Sequence, residues 1–206
     1  MIEGWTVQID ARLLSDENSA LGEAALKLMS ADLLAISGVI PADRLEKLRE
    51  VPIWIDLSHG DLRQMQYHPS ADWLREHGYS EQLARGVHIP RAALFTDVEH
   101  RRTQPWATLH ELAHAYHDRV LGFDEPRIAA AHERFRQAER YRSVLHVDGG
   151  RREHYGRTNP MEFFAELTES YFGTNDFYPF VRGELREDNP DVCVLLEEIW
   201  GVPRGR

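Results

Sequence analysis

The sequence predicts an α+β fold, predominantly helical with a small N-terminal sheet. Three observations carry that expectation. Apolar residues recur at helical spacing over long stretches of the chain. The strand-like runs are short and all precede residue 91. No internal repeat or low-complexity linker interrupts the pattern, so the 206 residues fit one domain. Its N-terminal lobe covers about 1–121 and its C-terminal helical lobe about 122–206.

Residues 6–13 alternate loosely through Val7, Ile9 and Leu13 and predict a first strand. Ser15, Asp16 and Glu17 offer a helix start, and Leu21, Ala25, Leu28, Met29, Leu33, Leu34 and Ile36 repeat at helical spacing up to Gly38. Pro41 opens a short helix through Glu50, with Leu45 and Leu48 inward. Residues 51–57 read as a strand with Pro52 at its start. Residues 58–67 are polar and aperiodic, which predicts a loop. A short helix over 70–77 stops at Gly78, and 86–90 form a brief strand. Gln104-Pro105-Trp106 leads into a helix over 106–121, ended by Gly122. Pro126 begins a helix to about Arg142, residues 147–150 make a tight turn, and 155–159 form a polar loop. Asn159 and Pro160 are suited to N-cap and first helical position, so a helix runs from there to Gly173. Segments 177–185 and 191–200 complete the chain.

A hydrophobic content of 42% and a charged content of 28% suit a soluble globular protein. The formal net charge of -10 argues against nucleic acid or an anionic membrane as main partner, because both need a basic surface. Cys193 is the one cysteine, so no internal disulfide forms; its apolar helical setting predicts burial. No apolar run is long enough to span a bilayer. The first residues lack a basic segment followed by an apolar one. A cytoplasmic protein, or a secreted one whose signal lies outside this sequence, fits equally. Oligomeric state is left open.

Residues 110–114 read His110-Glu111-Leu112-Ala113-His114. On a helix, positions i and i+4 share one face, so two imidazoles can hold one metal ion. The glutamate between them reaches water beside the metal rather than the metal. A catalytic zinc takes three protein ligands and leaves one position open. A third histidine six residues after His114 is not present, since that position is Val120 and the nearby His117 stands only three residues on. Asp176, in Gly173-Thr174-Asn175-Asp176-Phe177-Tyr178, is a second option whose spacing to the tyrosine is short. A third is Glu162, in the first turn of the later helix, with Glu166 one turn on. Buried carboxylates are costly unless paired or metal-bound. Either these acids form a solvated edge with Glu169, or Glu162 binds zinc and Glu166 accepts the free N–H of a ligating histidine.

The stretch Tyr155-Gly156-Arg157-Thr158-Asn159-Pro160-Met161-Glu162-Phe163-Phe164-Ala165-Glu166, behind an H-E-x-x-H helix, resembles the gluzincin-type zinc endopeptidases that include the anthrax toxin lethal factor catalytic domain and the Pro-Pro endopeptidases. The resemblance covers the motif helix and about residues 155–172; residues 1–105 and the tail from Asn175 show none. It implies a zincin-like metallopeptidase fold and a single Zn²⁺ per chain, held by His110, His114 and Glu162. It further implies Glu111 as general base and Tyr155 as the residue that hydrogen-bonds the transition state. The expected activity is hydrolysis of peptide bonds in a peptide or protein substrate.

Extended substrates bind proteases by adding a strand to a sheet edge, and Val87, His88 and Ile89 are the candidate edge, because Pro90 blocks further pairing. His117 is read as a packing residue and His154 as a possible cleft residue. Trp5, Trp54, Trp73, Trp106 and Trp200 are assigned to the core. The competing reading is a zincin-like binding module that holds zinc without turnover.

Overall fold

The computed structural model describes residues 1–203. Four short strands make one mixed sheet: β1 (Val7–Ile9), β2 (Ile53–Ile55), β3 (Gln66–Tyr67) and β4 (Val87–Ile89), in the order β1-β2-β4-β3. β1, β2 and β4 are parallel, and β3 runs antiparallel to β4. Side chains alternate across a sheet. Ile53, Ile55, Val87 and Ile89 face the helices and are fully buried, while the other face carries Gln8, Trp54 and His88.

Among the described residues, ten α-helices pack around this sheet. α1 (Ser19–Val39) lays Ala25, Met29, Leu33 and Ile36 into the core and includes Gly38 rather than ending there. α2 (Ala42–Arg49) starts after Pro41 and buries Leu45 and Leu48. α3 (Ala71–Glu76) has the Ser70 side chain as its cap and stops before Gly78. α4 (Ala92–Phe95) and α5 (Val98–Thr103) are short helices in a stretch for which the pattern predicted nothing. α6 (Ala107–Tyr116) bears the H-E-x-x-H string and continues as a π-helical turn (His117–Leu121) until Gly122, whose φ of 87° favours glycine. The predicted first strand is shorter than expected, because residues 11–14 form a 3-10 turn.

The C-terminal half is helical apart from a small hairpin, β5 (Val144–Leu145) with β6 (Arg151–Arg152), around the predicted tight turn. α7 (Pro126–Gln137) ends earlier than expected and passes into a 3-10 turn, Glu139–Arg142. The segment read as polar loop is a 3-10 turn, Tyr155–Arg157, with Gly156 and Arg157 buried. α8 (Pro160–Phe172) begins as predicted, with Asn159 as cap and Pro160 first. α9 (Arg182–Asp188) and α10 (Pro190–Trp200) close the fold.

What positions α6 against α8 is a shared apolar core behind them. Trp200 is fully buried and stacks on Tyr116 of α6 at 4.5 Å and on Phe164 of α8 at 5.7 Å. Its Nε1–H donates to Thr168 Oγ1 at 3.2 Å. Removing so large a buried ring costs about 3–5 kcal/mol. Gly173 closes α8 against Trp106, where any Cβ would stand 2.2 Å from the indole. The start of α6 is tied to α1 by buried Asp32, which accepts from Thr108 Oγ1 at 2.6 Å and from Arg101 at 2.6 and 2.8 Å. Trp5 is core as expected, but Trp73 is 40% exposed, so it lies outside the core. No helix among the described residues is long and apolar enough to cross a membrane.

Candidate metal centre

Helical spacing puts His110 and His114 on one face of α6, and the Asn159 cap fixes the first turn of α8 opposite them. Asn159 Oδ1 accepts the Glu162 amide at 2.8 Å, which aims the Glu162 side chain at the histidines. His110 Nε2 lies 3.0 Å from His114 Nε2 and 3.2 Å from Glu162 Oε2. His114 Nε2 to Glu162 Oε2 is 3.3 Å, closing a triangle. Donors about 2.0–2.1 Å from a tetrahedral zinc stand roughly 3.3 Å apart. The triangle therefore has the size of a zinc ligand face.

The electrostatics ask for a cation there. Burial opposes charge on His110, but hydrogen bonds to Glu162 and Glu169 outweigh it and raise the imidazole well above its ordinary value. Burial would likewise raise Glu162, yet bonds from both histidines hold its carboxyl far below the usual range. The ligand face thus favours a positive charge, which a metal ion could supply in place of a proton.

The second nitrogen of His110 corrects one expectation. Its Nδ1–H donates to Glu169 Oε1 at 2.7 Å, while Glu166 Oε1 stands 3.7 Å away. Glu169, rather than Glu166, therefore orients the ring. The acids are not a solvated edge either: Glu166 and Glu169 are 4% and 5% exposed. Burial raises Glu166 well above the carboxylate range, with neighbouring Glu169 adding to the effect, and Glu166 Oε2 finds no partner among the described residues. Glu162, Glu166 and Glu169 form one stripe of α8, and the registers i+4 and i+7 both face His110. Asp176, the second option for a third ligand, lines the same cleft and is also raised by burial. Val120 is exposed on the π-helical turn.

Glu111 turns to the neighbouring face of α6, where its Oε2 accepts the Tyr67 backbone N–H at 2.7 Å. Burial raises its carboxyl above the ordinary value, against the pull of the two histidines. Tyr155 sits across the cleft at the 3-10 turn, 48% exposed, and burial pushes its hydroxyl upward, so it stays a donor at neutral pH. His110, Glu111, His114, Tyr155 and Glu162 line one cleft of about 510 Å³.

The predicted edge strand is misplaced. Val87, His88 and Ile89 form β4, which is paired on both sides and buried throughout. The edge on this side of the sheet is β3, in the stretch read as loop, and residues 64–67 form one wall of the cleft. Tyr67 N–H points away from β4, since it reaches Glu111. Two residues are too few to show alternation, which is why the pattern missed them. His154 does not line the cleft: it is fully buried beside Phe135 and Phe177, its Nδ1 accepts Gly156 N–H at 3.0 Å, and burial lowers it to about 3. His117 packs edge-on against Phe123 and Phe164.

Comparison of the chain with models of protein families, with curated proteins and with solved structures found no match.

Proposed function

We propose that this chain is a zincin-like, zinc-dependent endopeptidase of gluzincin type. One observation carries the reading: three metal-ligand atoms converge at zinc spacing in an open cleft that also holds a carboxylate and a phenol off the metal face. The resemblance of residues 155–166 to lethal factor-like peptidases points the same way. His110, His114 and Glu162 would hold the metal, which when bound polarises a scissile carbonyl and acidifies nearby water. Glu111 takes the proton from that water and passes it to the leaving amine. Burial raises its carboxyl above the ordinary value, which favours uptake of a proton. The Tyr155 hydroxyl donates to the carbonyl oxygen as charge builds there. Glu169 holds His110 by its Nδ1–H and so keeps Nε2 aimed at the ligand face. The outer side of β3, whose Tyr67 N–H is engaged by Glu111, borders the cleft where an extended peptide would lie, in the place first given to Val87–Ile89.

Metal analysis with peptide-library proteolysis tests the reading. Zinc bound through His110 and His114, cleavage of some library members, and loss of cleavage with zinc retained in Glu111→Gln are expected. Undiminished cleavage in that variant would overturn the mechanism. Zinc without turnover on any peptide would favour the binding module instead.

A further inference from the structure

A second group of metal-type ligands lies on the opposite face of the sheet. Asp56 follows β2, His59 stands one turn later, and His88 is the central residue of β4. Asp56 Oδ2 is 2.6 Å from His59 Nδ1 and 3.0 Å from His88 Nε2. The three ligand atoms all lie within 4.8 Å of one another. We propose that Asp56, His59 and His88 form a second site for a divalent first-row transition metal, with zinc as the first candidate and His68 holding the far side of His88.

Four features support this. The donor set, two imidazole nitrogens and a carboxylate oxygen, suits zinc, cobalt or iron(II) rather than calcium or magnesium. The His88 ring is fully buried, so it cannot swing out to solvent, and its Nδ1 meets His68 Nε2 at 3.2 Å. Asp56 Oδ2 stands within hydrogen-bond distance of both His59 Nδ1 and His88 Nε2, so the three donor atoms already converge on one point that a cation would share. Asp56 and His59 are partly exposed, at 17% and 26%, which leaves an entry path and room for solvent ligands.

The site differs from the α6–α8 centre in place and in ligands, and binding there does not depend on the peptidase reading. A metal at this point would cross-link β2, β4 and the segment leading to β3. That strand contributes His68 just beyond its end and forms the wall of the other cleft.

The test separates the two centres. His110→Ala/His114→Ala removes the first ligand set, and this double variant is titrated with Co²⁺ and Zn²⁺ by equilibrium dialysis. The visible Co²⁺ absorption serves as reporter, and circular dichroism checks the fold. One retained equivalent is expected, weakened at least tenfold by His59→Ala and by Asp56→Asn. No retained equivalent in a folded double variant, or affinity indifferent to both substitutions, would show a hydrogen-bonded network only and overturn the proposal. If the double variant does not fold, the intact chain carries the same test. There, His59→Ala is expected to remove one of two zinc equivalents, and an unchanged content overturns the site. Failure of the first centre would instead appear as zinc lost on His59→Ala and kept on His110→Ala.

Discussion

Two gatherings of imidazole and carboxylate flank strand β3, and they are built in opposite ways. The α6–α8 centre takes its ligands from one turn of a helix and one capped helix start. The sheet-side group takes Asp56, His59 and His88 from a strand end, a loop and a strand centre. Both offer metal-type donors at short range. Only the first adds a carboxylate off the ligand face, Glu111, and a cleft-lining phenol, Tyr155. In the second, the carboxylate is already shared by two imidazoles. Under the proposed function, the difference is that donors alone would bind a metal, whereas a carboxylate off the ligand face in an open cleft would add hydrolysis.

The sharpest way to break this contrast is to remove the base. Glu111→Gln is expected to lower turnover about 10²–10⁴-fold while zinc content stays unchanged. Activity that survives the substitution but falls with Asp56→Asn would reverse the assignment of the two centres. Tyr155→Phe comes next: loss of one donor to the developing oxyanion is expected to lower kcat about 10²–10³-fold, with little change in KM. An effect confined to KM would place the phenol in substrate binding only.

A smaller effect distinguishes the two buried acids. Glu169→Gln weakens the partner of His110 Nδ1 and is expected to reduce zinc affinity about 10–100-fold. Glu166→Gln replaces a carboxyl whose nearer oxygen stands 3.7 Å from His110 Nδ1, beyond hydrogen-bond reach, so zinc affinity should change less than about threefold. Zinc titration against a competing chelator measures both. The reverse order would restore Glu166 as the residue that orients His110.

How much of this was legible depended on how local the signal was. His110 and His114 could be placed on one face because a helical turn fixes side-chain direction within a few residues, whereas Glu162 as their companion came from the resemblance of residues 155–166. The choice between Glu166 and Glu169 could not be read, because both lie on the stripe facing α6 and the ring tilt of His110 decides between them. β3 escaped because a two-residue strand has no period, and its pairing with β4 is supplied by tertiary contacts. β4 was taken for the edge for the same reason: Pro90 suggested an end to pairing, while the partner strand was invisible. The sheet-side group spans residues 56 to 88 across three kinds of backbone, so nothing in sequence spacing brings Asp56 to His88. The α+β class and the predominance of helix needed only periodicity.

The smallest effect asks which part of β3 serves which centre. Tyr67 contributes its backbone N–H to Glu111 and its hydroxyl to Asp118 Oδ2, at 2.5 Å, on the π-helical turn beyond α6. The second bond fastens the strand to the end of the motif helix, away from the ligand face. Tyr67→Phe keeps the amide and removes the hydroxyl, so it should cost about 1–2 kcal/mol in denaturant unfolding while turnover changes less than about twofold. The backbone of β3 would then belong to the cleft and its side chain to the scaffold. A large fall in turnover with stability unchanged would mean instead that the Asp118 contact holds Glu111 in place, and that the motif helix and the edge strand work as one unit.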